Sequence, residues 1–174
     1  QKPVSAKGGK MELLFMPQTL YTLLWRLLNG ANGRSLYEKT SRLEGQEGKK
    51  ILSEKVTIYN DPVDDSVAGA RAFDDEGMPT NRFNLFDNGV FQQFYYNLQY
   101  AQKMGVAPTG HGFRGGQWGG DPITMKPQPK LQHLVIAPGE KSLMELIRSM
   151  KRGVIVESVL GAHSGNIPNG DFSV

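Results

Sequence analysis

The sequence predicts an α+β fold with a mixed or antiparallel sheet and two main helices, on three observations. The elements read strand, helix, strands, hairpin, loop, strand, helix, strand, without the alternating rhythm of a doubly wound parallel sheet. Two aromatic-rich segments flank Asp87-Asn88-Gly89, the residue types that a tight hairpin needs for positive φ. Two leucine-rich segments at helical spacing lie toward opposite ends of the chain.

Each element follows from its residues. "KMELLFMP" is a short apolar run stopped at Pro17, which reads as a buried strand. Leu20, Leu23, Leu24, Leu27 and Leu28 then recur at helical spacing, and a proline suits a first helical turn, so a helix is predicted over residues 17–28 with Asn29-Gly30 as a left-handed cap. A Gly- and Asn-rich turn over residues 30–33 follows. β-Branched residues place a strand at 56–59, ended by Asp61-Pro62. After the hairpin, "LQYAQKMG" is a short helix or turn closed by Gly105. Residues 109–122 hold six glycines with His111, Arg114 and Trp118 and show no periodicity, which marks a long irregular loop. "KLQHLVIAPGE" returns to strand. Ser142 and Glu145 form a capping box that opens the second helix, with Leu143, Leu146, Ile147 and Met150 on its buried side and Gly153 as its stop. "VIVESVLG" is the last strand.

Composition narrows the function classes. The 174 residues suit one domain; 39% are hydrophobic and 21% charged, ordinary values for a globular protein. No apolar run approaches the roughly 20 residues of a membrane span. There is no cysteine, which removes disulfides and thiolate metal sites and fits a reducing cytoplasm. A chain that opens on Gln1 reads as a processed or excised piece. The net charge is +3, but acids interleave with the 20 Lys and Arg residues and no basic run exceeds two, which argues against a nucleic-acid face.

Three motifs bear on chemistry. "GHGFRG" at 110–115 is a literal G-x-G-x-x-G. A dinucleotide loop requires a strand before it and a helix after it; here Pro108 precedes and "GQWGGDP" follows, and no G-K-[ST] completes a phosphate loop. Its glycines therefore fit either a plain surface loop or backbone that approaches a ligand closely. Of the three histidines, His133 sits in an apolar strand as a satisfied core or edge residue, whereas His111 and His163 lie in Gly-rich loops where they could meet, a poor zinc site without a third ligand. Asp74, Asp75 and Glu76, closed by Gly77, are the densest acid cluster. Such carboxylates could do acid–base work or hold a hard cation, or could form a solvated turn in which Arg82 pairs with one of the acids.

Four stretches together resemble the TldD/PmbA family, also called peptidase U62 or "modulator of DNA gyrase". They are "FDDEGMPTNRFNLFDNGVFQQFYYNLQYAQKMGVAPTGHG" (73–112), "SLYEKTSRLEGQEGKKILSEKVTI" (35–58), "SLMELIRSMKRGVIVESVLG" (142–161) and "NGDFSV" (169–174). The resemblance covers most of the chain in order. It implies the fold of the family's C-terminal domain, a cytoplasmic location, and a single domain over 1–174 that is a central-to-C-terminal fragment of a longer protein. TldD-type members carry an H-E-x-x-x-H helix whose histidines bind zinc and whose glutamate activates water, completed by a cysteine. Here the corresponding helix offers Leu24, Trp25, Arg26, Leu27, Leu28 and Asn29. A catalytic zinc needs three protein ligands and an open position, and these residues supply none.

The departure points to the PmbA/TldE type, a partner without the zinc motif. The resemblance implies that the two types pair, as a TldD-type heteromer or in a homodimer, and together cleave unfolded or leader-bearing peptides, with zinc on the TldD-type subunit and no catalytic residue or cofactor on this one. The expectation is a substrate cleft lined by Asp75, Glu76, Arg82, Thr109, Gly110, His111 and Arg114, in which the two arginines receive anionic groups of a peptide. Two rivals remain: a stand-alone metal-dependent hydrolase using Asp75, Glu76 and the loop histidines, and a modulator of DNA gyrase or nucleic acid.

Overall fold

The computed structural model describes residues 8–115, 120–162 and 164–166. Strand β1 (Glu12–Phe15) runs to Pro17, which opens a single 3-10 turn before helix α1 (Tyr21–Gly30). The helix does not end on a left-handed Asn29-Gly30 cap. Ala31, at φ −90°, closes it by donating its N–H to the carbonyls of Leu27 and Leu28, both at 3.1 Å. Asn32 then caps a second short helix, α2 (Gly33–Tyr37), by accepting from the Ser35 N–H at 2.8 Å. Gly33 is required here by packing: a Cβ at that position would run into the Tyr96 ring.

The core is a four-stranded antiparallel sheet in the order β4-β3-β2-β7, made of β2 (Ile58–Asn60), β3 (Phe83–Asp87), β4 (Val90–Phe91) and β7 (Leu134–Ile136). Asn88 and Gly89 have φ of 47° and 79°, the pair of positive values that matches a two-residue turn to the twist of β3 and β4. Phe86 pairs across that hairpin with Phe91, with ring centroids 5.3 Å apart, and Phe91 meets Phe94 edge-on at 5.0 Å. These rings, with Ile58, Leu85 and Tyr95, are buried, and the half-buried Leu24, Leu27 and Leu28 of α1 pack against them. Each buried aromatic contributes about 1.5–3 kcal/mol through area removed from water.

Helix α3 (Leu98–Met104) is capped by Asn97, which accepts from the Tyr100 N–H, and ends on the left-handed Gly105 at φ 68°. The stretch expected to be wholly irregular contains β5 (Gly112–Phe113), which pairs antiparallel with β6 (Gln128–Pro129). Helix α4 (Leu143–Ser149) has the predicted capping box, and β8 (Gly153–Val156) lies parallel to β1 with Leu13 opposite Val154.

The fold is thus α+β with both antiparallel and parallel strand pairs, but the described residues hold four helices rather than two. Of the other two, α3 is the short helix or turn expected over 98–105, and α2, with five residues, follows the turn expected over 30–33; both depend on asparagine caps rather than on a long apolar period. The expected burial of the α4 leucines is also corrected: Leu143 and Leu146 remain 40% and 39% exposed. Periodicity marks the face that seeks cover, and among the described residues only Ile147 and Met150 of that face are partly covered. No helix among the described residues is long and apolar enough to cross a membrane.

Candidate functional site

The acid turn is a backbone clip. Asp74 is buried; its Oδ1 accepts the N–H groups of Glu76 and Met78, both at 2.9 Å, and its Oδ2 accepts the Gly112 N–H at 2.8 Å. Asp75 donates its N–H to the Gly112 carbonyl at 2.9 Å and accepts the Arg114 N–H on Oδ2 at 2.8 Å, while Oδ1 pairs with Arg71 at 2.7 Å. Glu76 accepts the Leu98 N–H at 2.7 Å, satisfying a donor in the first turn of α3. Burial holds the Glu76 carboxyl above its usual range; the Leu98 hydrogen bond opposes that shift and the nearby Asp74 charge adds to it. All three carboxylates therefore position residues 112–114 and the start of α3.

The sequence glycines explain how closely that clip can shut. Gly110 has φ 70°, and a Cβ there would strike the Pro79 carbonyl oxygen; a Cβ on Gly112 would strike the Glu76 carboxylate. "GHGFRG" is close-approach backbone, and what it approaches is the chain's own acid turn.

His111 is only 1% exposed. Its Nε2 lies 3.3 Å from Asn60 Nδ2, and Asn60 Oδ1 accepts the Gln132 and His133 N–H groups at 3.0 Å each. Those two bonds fix the Asn60 amide orientation, so Nδ2 faces the ring as a donor and Nε2 must accept. The proton then sits on Nδ1, which donates to Thr109 Oγ1 at 2.9 Å; that hydroxyl also accepts the Tyr96 N–H at 2.7 Å and donates to the Tyr96 carbonyl. Phe83 stacks edge-on against the ring at 4.7 Å. Burial pushes the imidazole down to about 4, against smaller opposing effects from Thr109 and Asp74, so it is neutral at physiological pH. It ties β2 to the loop and has no free nitrogen for a substrate.

The remaining candidates separate. Arg82 does not pair with the acid turn: its Nη1 lies 3.9 Å from Asp61, and its guanidinium covers the Tyr59 ring at 4.1 Å. Arg71, four residues before Asp75, takes the role expected of Arg82. Arg114 is exposed, with Nη1 3.5 Å from the Ile123 carbonyl. His133 is half-buried, with Nδ1 3.2 Å from the Asp61 carbonyl. Trp118, His163 and "NGDFSV" lie outside the described residues. Among the described residues, no three His, Cys, Asp or Glu side chains converge to hold a metal.

A cavity of about 480 Å³ opens elsewhere. The last turns of α1 supply Trp25, Leu28 and Asn29, and α2 with its cap supplies Asn32 and Arg34. The opposite wall is Gln128 and Pro129 of β6, followed by Lys130 and Leu131, with Gly115 alongside and Tyr95 also lining it. The Tyr95 hydroxyl donates to the Leu28 carbonyl at 3.0 Å, and burial raises its ionisation well above the ordinary range. None of the seven candidate cleft residues is in this wall. Sequence reading missed it because its residues come from four separate segments; the one local hint was Trp25, Asn29, Asn32 and Arg34 gathered at a helix junction.

A family model described as the PmbA/TldA metallopeptidase C-terminal domain matches residues 8–174. The chain belongs to the TldD/PmbA family. It is similar to the crystal structure of TldE from Thermococcus kodakarensis, with a TM-score of 0.80 and 32% identity, over 95% of this chain and 36% of that one. A metalloprotease of Methanothermobacter thermautotrophicus is 28% identical over 94% of this chain and 34% of its own length. Metalloprotease PmbA of Escherichia coli O157:H7 is 26% identical over 94% of this chain and 33% of its own length. The chain thus spans about a third of the relatives it matches.

The TldD/PmbA resemblance makes α1 the place to test for zinc, and its residues do not fit. Leu24, Leu27 and Leu28 pack on the core, and Asn29 donates its amide to the Trp25 carbonyl at 2.9 Å. Arg26 is buried and donates to the carbonyls of Thr22 and Ala162, both at 3.0 Å. A guanidinium is a permanent cation without a lone pair to offer, so it opposes a metal ion at that position.

Proposed function

We propose that this chain is part of the PmbA/TldE-like, non-catalytic subunit of a zinc metallopeptidase system in proteolysis and peptide maturation. The observation that carries the reading is α1: where the TldD type has its metal-binding helix, this chain has leucines packed on the core and a buried Arg26 bonded to backbone carbonyls. Its likeness to a TldE, at 32% identity, supports the same assignment. Zinc belongs on a TldD-type partner, and the pair works on peptides in the cytoplasm. The chain forms one domain, a central-to-C-terminal part of a longer protein.

Its role in the pair is to shape the cavity in which a peptide is cut. Asp75, Glu76, Thr109, Gly110 and His111 build the rigid wall of that cleft, and Arg82 and the exposed Arg114 offer it positive charge. Backbone pairing with strand edges suits cleavage with loose sequence preference. A stand-alone metallohydrolase is poorly supported, because the Asp75 and Glu76 carboxylates are engaged by backbone N–H groups and His111 by Asn60 and Thr109. The test is co-purification with the TldD-type protein of the same cell. The two are expected to elute together and to cleave an unfolded peptide that neither cleaves alone; absence of both association and enhanced cleavage refutes the subunit role.

A further inference from the structure

We propose that the cavity between α1, α2 and β6 binds an organic carboxylate carried on an apolar body, and that its natural source is the C-terminus of a peptide. Only the choice of a peptide rests on the function proposed above; the carboxylate site stands on the geometry alone.

The charge of the wall selects the sign of the ligand. Arg34 and Lys130 line the cavity, and among the described residues no Asp or Glu does. Arg34 uses its Nε on Glu38 at 2.8 Å, on the exposed side of α2, which leaves the rest of the fork. Lys130 has no side-chain partner among the described residues. Its backbone N–H donates to the His111 carbonyl at 2.9 Å, and its Nζ lies 3.7 Å from where a Gly115 Cβ would be. The Lys130 ammonium thus lies beside Gly115 with no carboxylate partner among the described residues.

The rest of the wall selects the body of the ligand. Trp25, Leu28, Pro129 and Leu131 give it an apolar lining, and the Gln128 amide adds a polar group able to orient a backbone. A volume of about 480 Å³ falls within the roughly 300–1,000 Å³ of small-ligand sites. A wall that is apolar on several sides and cationic at one end favours a carboxylate attached to a hydrophobic group over an inorganic anion. The free end of a peptide with an apolar last residue has that form.

Calorimetric titration of the whole chain, without a partner, tests this with three probes: the tetrapeptide Ala-Ala-Leu-Phe as free acid, the same peptide amidated at its C-terminus, and 3-phenylpropanoate. Loss of a charge-assisted hydrogen bond corresponds to about tenfold or more in affinity. The amide is expected to bind at least about tenfold more weakly than the acid. Lys130→Ala should weaken the acid by a similar factor while leaving the amide unchanged, and Lys130→Arg should restore the acid. Equal binding of acid and amide, indifference to Lys130→Ala, or no binding of any probe at millimolar concentration overturns the site. If 3-phenylpropanoate binds as tightly as the peptide acid, the carboxylate site holds and the peptide source is wrong. Because no TldD-type protein is present, none of these outcomes depends on subunit pairing.

Discussion

The antiparallel sheet and the β1–β8 pair draw on similar apolar residues and treat them in opposite ways. In the sheet, Leu85, Phe86 and Phe91 are 0% exposed, closed in by Phe94, Tyr95 and the leucines of α1. In the parallel pair and the neighbouring α4, Leu13 is 58% exposed, and Val154, Ile155 and Leu143 are each close to 40%. Parallel strands ordinarily have both faces covered. An apolar pattern therefore identifies a face, but stability comes only where a second layer meets it.

The largest expected effect breaks that comparison most directly. Phe91→Ala should cost about 3–5 kcal/mol, whereas Leu13→Ala should cost under about 1 kcal/mol, both read from urea unfolding. Similar costs at the two positions would mean that the regions do not differ as described. The next effect concerns the histidine within the well-covered region. Its folded pKa of about 4 lies below the ordinary 6.5, so the unfolded chain binds more protons between those values. Stability should accordingly be fully present above pH 6.5 and fall by about 3 kcal/mol as pH drops toward 4. Glu76, whose pKa is raised, acts in the opposite direction as pH climbs through the carboxylate range. The informative quantity is therefore the difference in slope between the native chain and His111→Gln, which should be flatter.

Asp74→Asn comes third. It replaces one acceptor oxygen with a donor facing backbone N–H groups, and should cost about 2–3 kcal/mol with faster amide exchange at Gly112. Smallest is Ser142→Ala. Removing the cap of α4 should cost about 1 kcal/mol, seen as faster exchange within Leu143–Ser149 and little change in the unfolding of the sheet. A matching loss across the sheet would show that the exposed region supports the buried one.

What the sequence discloses follows the distance over which each feature is determined. The hairpin at Asn88-Gly89 and the Ser142–Glu145 capping box are set within a few residues and are legible as written. Helix α2 is equally local, but a glycine at its first position disguises it as a turn, and the reason for that glycine is Tyr96, far along the chain. His111 reads as a loop residue because its burial depends on Asn60, 51 positions earlier. Arg82 reads as the partner of the nearest acids, yet the sheet places it over Tyr59 and beside Asp61, while Arg71 reaches Asp75. The cavity is illegible for the same reason: its lining joins α1 and α2 to Tyr95, Gly115 and β6, which lie far along the chain. On α1 the sequence shows no His, Asp or Glu, and what it does not disclose is that Arg26 there is buried against the Thr22 and Ala162 carbonyls.

The most direct measurement of the central claim is zinc content and peptide cleavage determined together, for this chain alone and after mixing with a TldD-type partner. The account predicts no stoichiometric zinc and no cleavage for the chain alone, with both appearing in the mixture and the zinc retained by the partner on separation. One equivalent of zinc bound to this chain, with cleavage of an unfolded peptide in the partner's absence, would contradict it.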